Sequence, residues 1–173
     1  MPIQRAKPTN ISASQLNLAD TFAFTGTVTG AGGGKVLQAI TSVDSTQTTT
    51  TSGSYAGTGL SVTITPSSAN SRILILSQSS LYLTAAYLLI LTLQREISGG
   101  TTTNLAEVDA SGFIQQNVNG SSGSTCPITY LDSPNTTSAC TYSLLFRNNS
   151  TSNTSYSSIN TATDTMTCIE IGA

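Results

Sequence analysis

Leu60-Ser61-Val62-Thr63-Ile64-Thr65 alternates apolar and hydroxyl side chains with period two, then stops at Pro66. Such alternation places one side chain type on each face of a half-buried β-strand. Ser67-Ser68-Ala69-Asn70-Ser71 follows as turn chemistry, because short polar side chains bond their own backbone there. Arg72-Ile73-Leu74-Ile75-Leu76 then opens a long strand, whose unbroken apolar run predicts burial on both faces. Strand, turn, strand is therefore the local rule from which the rest is read.

Outward from this centre the rule repeats. Val36 to Val43 reads as an earlier strand, and the Thr/Ser/Gly stretch up to Gly59 reads as a loop or a ragged edge strand. The apolar window from Leu81 to Ile97 is read as strand rather than short helix, with Tyr87 to Ile97 pairing with the strand at 72 or near it. It is too short and interrupted for a membrane span of about 20 apolar residues. Gly99-Gly100 closes a turn. Further strands are expected at Ala106–Val108, Ile128–Leu131, Cys140–Arg147, Ser155–Ile159 and Thr165–Ile171. Short strands separated by Ser-Gly, Asn-Gly and Pro-Asn turns predict an all-β fold, an antiparallel β-sandwich or jelly roll.

Residues 1–34 differ from this pattern. Leu18, Phe22, Phe24 and Val28 are the apolar points of a stretch with too little apolar area to fold alone, and Gly32-Gly33-Gly34 reads as a hinge. The expected organisation is an extended N-terminal attachment arm over 1–34 and a β-sandwich domain over 35–173. The other reading of the first stretch is a frayed terminus. No apolar run follows Arg5 and Lys7, so no signal peptide is expected.

Composition narrows the chemistry. Charged residues are 8% of the 173, histidine is absent, and the formal net charge is −2. Threonine fits an outer sheet face because it is β-branched yet wettable. Without a basic patch, nucleic acid is not an expected partner, and no membrane insertion is expected. A Ser-His-Asp arrangement lacks its imidazole, and the two lysines, Lys7 and Lys35, sit in the arm and beside the hinge. No catalytic residue, cofactor or metal site is predicted, and the protein is not expected to be an enzyme. Glu107 and Asp109, at i, i+2 spacing, are the pair a remote carbohydrate-active alternative would use; otherwise they are solvated carboxylates beside a turn. Cys126, Cys140 and Cys168 read as buried small hydrophobes, with a Cys126–Cys140 disulfide as the other reading. Tyr82, Tyr87, Tyr130 and Tyr142 are expected in the core, and Tyr55 and Tyr156 nearer the surface.

Apolar residues are only 38%, so oligomerisation is the expected way to bury more surface. Arg72, Arg95 and Arg147 follow or end apolar strands. They read as solvated strand ends or, with Glu96, Glu107 or Glu170, as subunit-interface charges.

Several stretches resemble small β-rich virion surface proteins of marine tailed bacteriophages. They are Leu18-Ala19-Asp20-Thr21-Phe22-Ala23-Phe24-Thr25-Gly26-Thr27-Val28-Thr29-Gly30 with Gly34-Lys35-Val36-Leu37-Gln38, then Gly59 to Ser68 leading into Ser71-Arg72-Ile73-Leu74-Ile75. Tyr130 to Ala139 resembles a loop before the late strands of those proteins. Cys168-Ile169-Glu170-Ile171-Gly172-Ala173 resembles their ending, with Ile169 where a methionine is usual. The resemblance implies a structural protein on the virion surface, assembled in the bacterial cytoplasm. It leaves the location open; with no coiled-coil heptads and no long shaft before the β-domain, the expected form is a homotrimeric capsid decoration protein held to the major capsid protein by its arm. Its alternative is a tail-fibre or head-fibre tip, bound to a fibre attachment protein and touching host glycans. It carries over no catalytic residue.

Overall fold

The computed structural model describes residues 35–84, 88–105, 114–117, 121–149 and 152–172. The arm, with Leu18, Phe22, Phe24 and Val28, lies outside these residues, as do Tyr87, Glu107, Asp109 and the strand expected at 106–108.

The described residues form eleven strands: β1 (Val36–Asp44), β2 (Thr48–Thr50), β3 (Ala56–Ile64), β4 (Arg72–Leu83), β5 (Leu88–Ile97), β6 (Thr102–Asn104), β7 (Ile114–Asn117), β8 (Ser122–Asp132), β9 (Cys140–Asn148), β10 (Ser155–Ser157) and β11 (Asp164–Ile171). All ladders are antiparallel. In the first sheet β8 pairs with β4, β4 pairs with β11 and then β10, and these pair with β1 and β2 respectively. In the second sheet the order is β3-β9-β5, with β6 and β7 both on the far side of β5.

The pairing has a palindromic logic. β1 and β2 meet β11 and β10, β3 meets β9, β4 meets β8, and β5 meets β6 and β7. The chain is in effect one long hairpin folded up so that its rungs fall alternately in the two sheets. That arrangement is a jelly roll, the architecture expected from the strand-and-turn rhythm.

Alternation does the packing. In β3, Leu60, Val62 and Ile64 are buried while Ser61 and Thr63 are exposed. Ile73, Ile75, Leu81 and Leu83 of β4 meet Leu89, Leu91 and Leu93 of β5 and Tyr142, Leu144 and Phe146 of β9 in one core between the sheets. Each such side chain contributes about 1.5–3 kcal/mol when fully buried. Thr58 shares this inward register at the register irregularity between Gly57 and Ser61, and its hydroxyl donates to the Leu144 carbonyl at 2.9 Å. Gly59 has φ 96° there, and a side chain at that position would run into the Asp44 carboxylate.

Two expectations need correction. The apolar run at 72–76 is not buried on both faces: Ile73 and Ile75 are, but Leu74 is half-buried and Leu76 is 39% exposed. The window from 81 to 97 is not one strand. It holds the end of β4 and all of β5, which lie in opposite sheets and do not pair. A strand that changes sheet at a corner keeps its inward residues apolar on both sides of the corner, so the hydropathy run hides the break.

Candidate functional site

Three buried carboxylates are the chemically distinctive features of the domain. Asp132, at the end of β8, is paired with Arg95 of β5: Arg95 Nη1 donates to both carboxylate oxygens at 2.8 Å. The Tyr142 hydroxyl, from β9, donates to Asp132 Oδ2 at 2.7 Å. The cluster therefore ties the first sheet to the second. Burial alone would lower the Arg95 pKa, but the Asp132 hydrogen bond and charge outweigh it and hold the pKa up. Burial, then the bond to Asp132, raises that of Tyr142.

Asp164, which opens β11, has no cation beside it among the described residues. Its Oδ2 accepts from Ser79 Oγ at 2.5 Å, Ser158 Oγ at 3.0 Å and Ser157 Oγ at 3.3 Å. Its Oδ1 accepts from the Ser80 N–H and Oγ, both at 2.8 Å. Glu170, six residues on, is held in the same way. Its Oε1 accepts from the Ser67 N–H at 2.7 Å and Ser67 Oγ at 2.6 Å, and its Oε2 from Gln38 Nε2 at 2.6 Å. Desolvation pushes the Glu170 pKa up, but these donors win and hold it down at about 2. The Ser71 hydroxyl lies near enough to add to this pull without completing a hydrogen bond of its own.

Each carboxylate is occupied by structural donors, so the arrangement holds charge in place rather than offering it to a substrate. Among the described residues no group of three or more His, Cys, Asp or Glu is placed to hold a metal ion. Cys126, Cys140 and Cys168 are free and buried, and burial pushes the Cys168 thiol up to about 12.

Of the charges expected to face other subunits, two are turned inward. Arg95 is spent on Asp132 and Glu170 is fully buried, so neither presents its charge at the surface. The reason is parity: both sit on the inward-facing register of their strands. Arg147 packs over the Tyr55 ring at 5.1 Å and donates to the Gly53 carbonyl at 3.4 Å. Arg72 is exposed at the start of β4. Tyr142 is core, and Tyr130 packs against the core from a half-buried position. Tyr82, expected inside, instead lies half-buried on the outer face, edge-to-face with Tyr156 at 6.0 Å. Tyr55 and Tyr156 are half-buried. Sequence reading passed over Asp132 and Asp164. For Asp164 a signal was present, since Asp164, Met166, Cys168 and Glu170 share one face of a strand at i, i+2 spacing.

No protein-family model matches the sequence, and neither does any curated protein. Among solved structures, one similar chain is from the structure of infectious bursal disease virus Gx strain, 14% identical with TM-score 0.43. The match covers 80% of this chain and 33% of that one. Another is from the crystal structure of the infectious bursal disease virus VP2 subviral particle, 11% identical with TM-score 0.44, over 79% and 33%. The chain spans about a third of the length of these two.

Proposed function

We propose that this protein is a structural component of a tailed-bacteriophage particle, a homotrimeric decoration protein on the capsid surface, attached to the major capsid protein by residues 1–34. The observation that carries the reading is the pairing of a jelly roll with an interior in which the buried carboxylates of the described residues, Asp132, Asp164 and Glu170, are engaged in holding the fold. Jelly rolls recur in viral shells and in carbohydrate-binding domains, so the architecture by itself is an analogy. The resemblance of the Gly59–Ser68, Tyr130–Ala139 and Cys168–Ala173 stretches to phage virion surface proteins selects the first of these uses.

A fibre-tip role is the second reading. It is favoured by the Tyr82–Tyr156 pair on the outer face, since aromatic rings suit the apolar faces of sugars. Immunogold electron microscopy of purified particles separates the two. Gold over heads in regular numbers is the expected result. Gold confined to tails or fibres supports the tip, and absence of the chain from purified particles ends both readings. For the decoration role, a chain lacking residues 1–30 is expected to fold, stay trimeric and no longer bind particles. Full occupancy by the truncated chain would remove the arm from the account.

A further inference from the structure

The exposed large hydrophobic side chains of the described residues are all on one sheet. Val36, Leu37, Ile40 and Val43 lie on β1, Leu76 on β4 and Leu131 on β8; Val36, Val43, Leu76 and Leu131 are on the outward register, whereas Ile40, opposite the buried Cys168, is on the inward one. The outer face of the second sheet instead presents Ser61, Thr63, Thr141 and Ser143. We propose that the outer face of the β8-β4-β11-β1 sheet is a self-association surface, where a second copy of this chain docks by presenting the same sheet.

Three observations carry this. The first is charge. Three adjoining cross-strand rows, from Ala39 to Leu131, from Thr41 to Thr129 and from Val43 to Pro127, contain no charged residue. A copy of the same face meets no like-charge repulsion there, whereas an anionic or cationic partner finds nothing to pair with. The second is the location of apolar surface. Among the described residues, the exposed large hydrophobics that a second copy could set against these side chains lie on the same sheet. The third is area. The β4–β11 ladder runs seven residues across a four-column sheet, a footprint on the order of 450 Å² at about 4.8 Å per strand and 3.3 Å per residue. Two such faces give roughly 900 Å² before side-chain corrugation is counted, close to the ~1,000 Å² that a specific interface clears. A depression of about 280 Å³ in this face, lined by Leu76, Gln78, Pro127, Thr129, Thr165 and Thr167, has hydroxyl, amide and apolar walls with no titratable group, suited to a side chain from the other copy.

The inference stands beside the trimer of the proposed function and is tested apart from it, because two copies that present the same face associate about a two-fold axis. Light scattering on the full chain after size exclusion, at about 1–100 µM, is expected to give an even multiple of 17.8 kDa. Leu76→Arg with Leu131→Arg is expected to halve that mass with an unchanged far-UV circular dichroism spectrum. Thr129→Arg with Thr167→Arg is the second test, decisive if the first variant does not fold. Ser61→Arg with Thr63→Arg, on the other sheet, is expected to leave the oligomer intact. A monomeric or trimeric wild-type chain over the whole range, or a mass that folded variants of this face leave unchanged, would overturn the proposal. A stable oligomer absent from phage particles overturns the virion reading alone. A monomer found on particles overturns this one alone.

Discussion

Asp132 and Asp164 are both buried carboxylates at strand ends, yet they are stabilised in opposite ways. Asp132 has a cation, Arg95, and a phenol, and its partners come from the opposite sheet. Among the described residues Asp164 has no cation, and its donors are the hydroxyls of Ser79, Ser80, Ser157 and Ser158 with one backbone N–H, from β4, β10 and the residue after it. The difference teaches how a chain so poor in charge buries acids. Where two sheets must be held in register it spends one of its few arginines. Within one sheet it uses serine, which carries a donor at little cost in volume.

Breaking the charged member should have the largest effect. Asp132→Ala leaves the Arg95 guanidinium buried without its counterion and the Tyr142 hydroxyl without an acceptor. The expected loss is about 3–5 kcal/mol, read as a lower urea midpoint. If the loss were under about 1 kcal/mol, the pair would be ornamental and the comparison would collapse. Asp164→Asn keeps the shape but turns an amide donor toward serine donors, stranding one or more of them. About 1–3 kcal/mol is expected on the same measurement. Tyr142→Phe removes one charge-assisted bond and leaves the ion pair, with an expected cost near the lower end of about 1.5–3 kcal/mol.

Glu170 sharpens the comparison through pH. Its folded pKa of about 2 lies below the unfolded value of about 4.3. Its contribution is therefore complete above the unfolded pKa and disappears as pH falls toward 2. A thermal-midpoint profile from pH 6 to 2 should fall for the wild type and be flatter in that window for Glu170→Gln, which starts lower at pH 6. Equal slopes would mean that other acids set the acid limit. The smallest effect concerns salt. Because the Arg95–Asp132 pair is buried, raising sodium chloride to 0.5 M should change the Asp132→Ala difference by only a few tenths of a kcal/mol. A surface pair would lose most of its contribution.

Sequence and structure agree wherever one face is buried and the other is hydroxylic. Leu60–Ile64 and Cys140–Arg147 alternate in the sequence, and the same residues alternate in burial. The reading misplaced the apolar surplus. Leu76 and Leu131 look like core by hydropathy, but the parity of their strands points them outward. Short strands inside Thr-rich stretches, such as Thr48–Thr50 and Thr102–Thr103-Asn104, carry no apolar signal of their own and form because a neighbour offers a ladder. The carboxylate clusters were hidden for another reason. Their donors lie about 37 residues away in the Arg95–Asp132 pair and 103 in the Ser67–Glu170 pair, so local pattern cannot join them.

The first and last strands close on each other: Val36 faces Ile171, and the Gly172 N–H donates to the Lys35 carbonyl at 2.8 Å. The chain thus enters and leaves the jelly roll at one corner. A short linker from residue 172 to residue 35 would make a circle with little strain, and new ends could open at the exposed Gly99-Gly100 turn. In such a permutant the β1–β11 ladder, otherwise separated by almost the whole domain, becomes a local hairpin, and its loop-closure entropy shrinks accordingly.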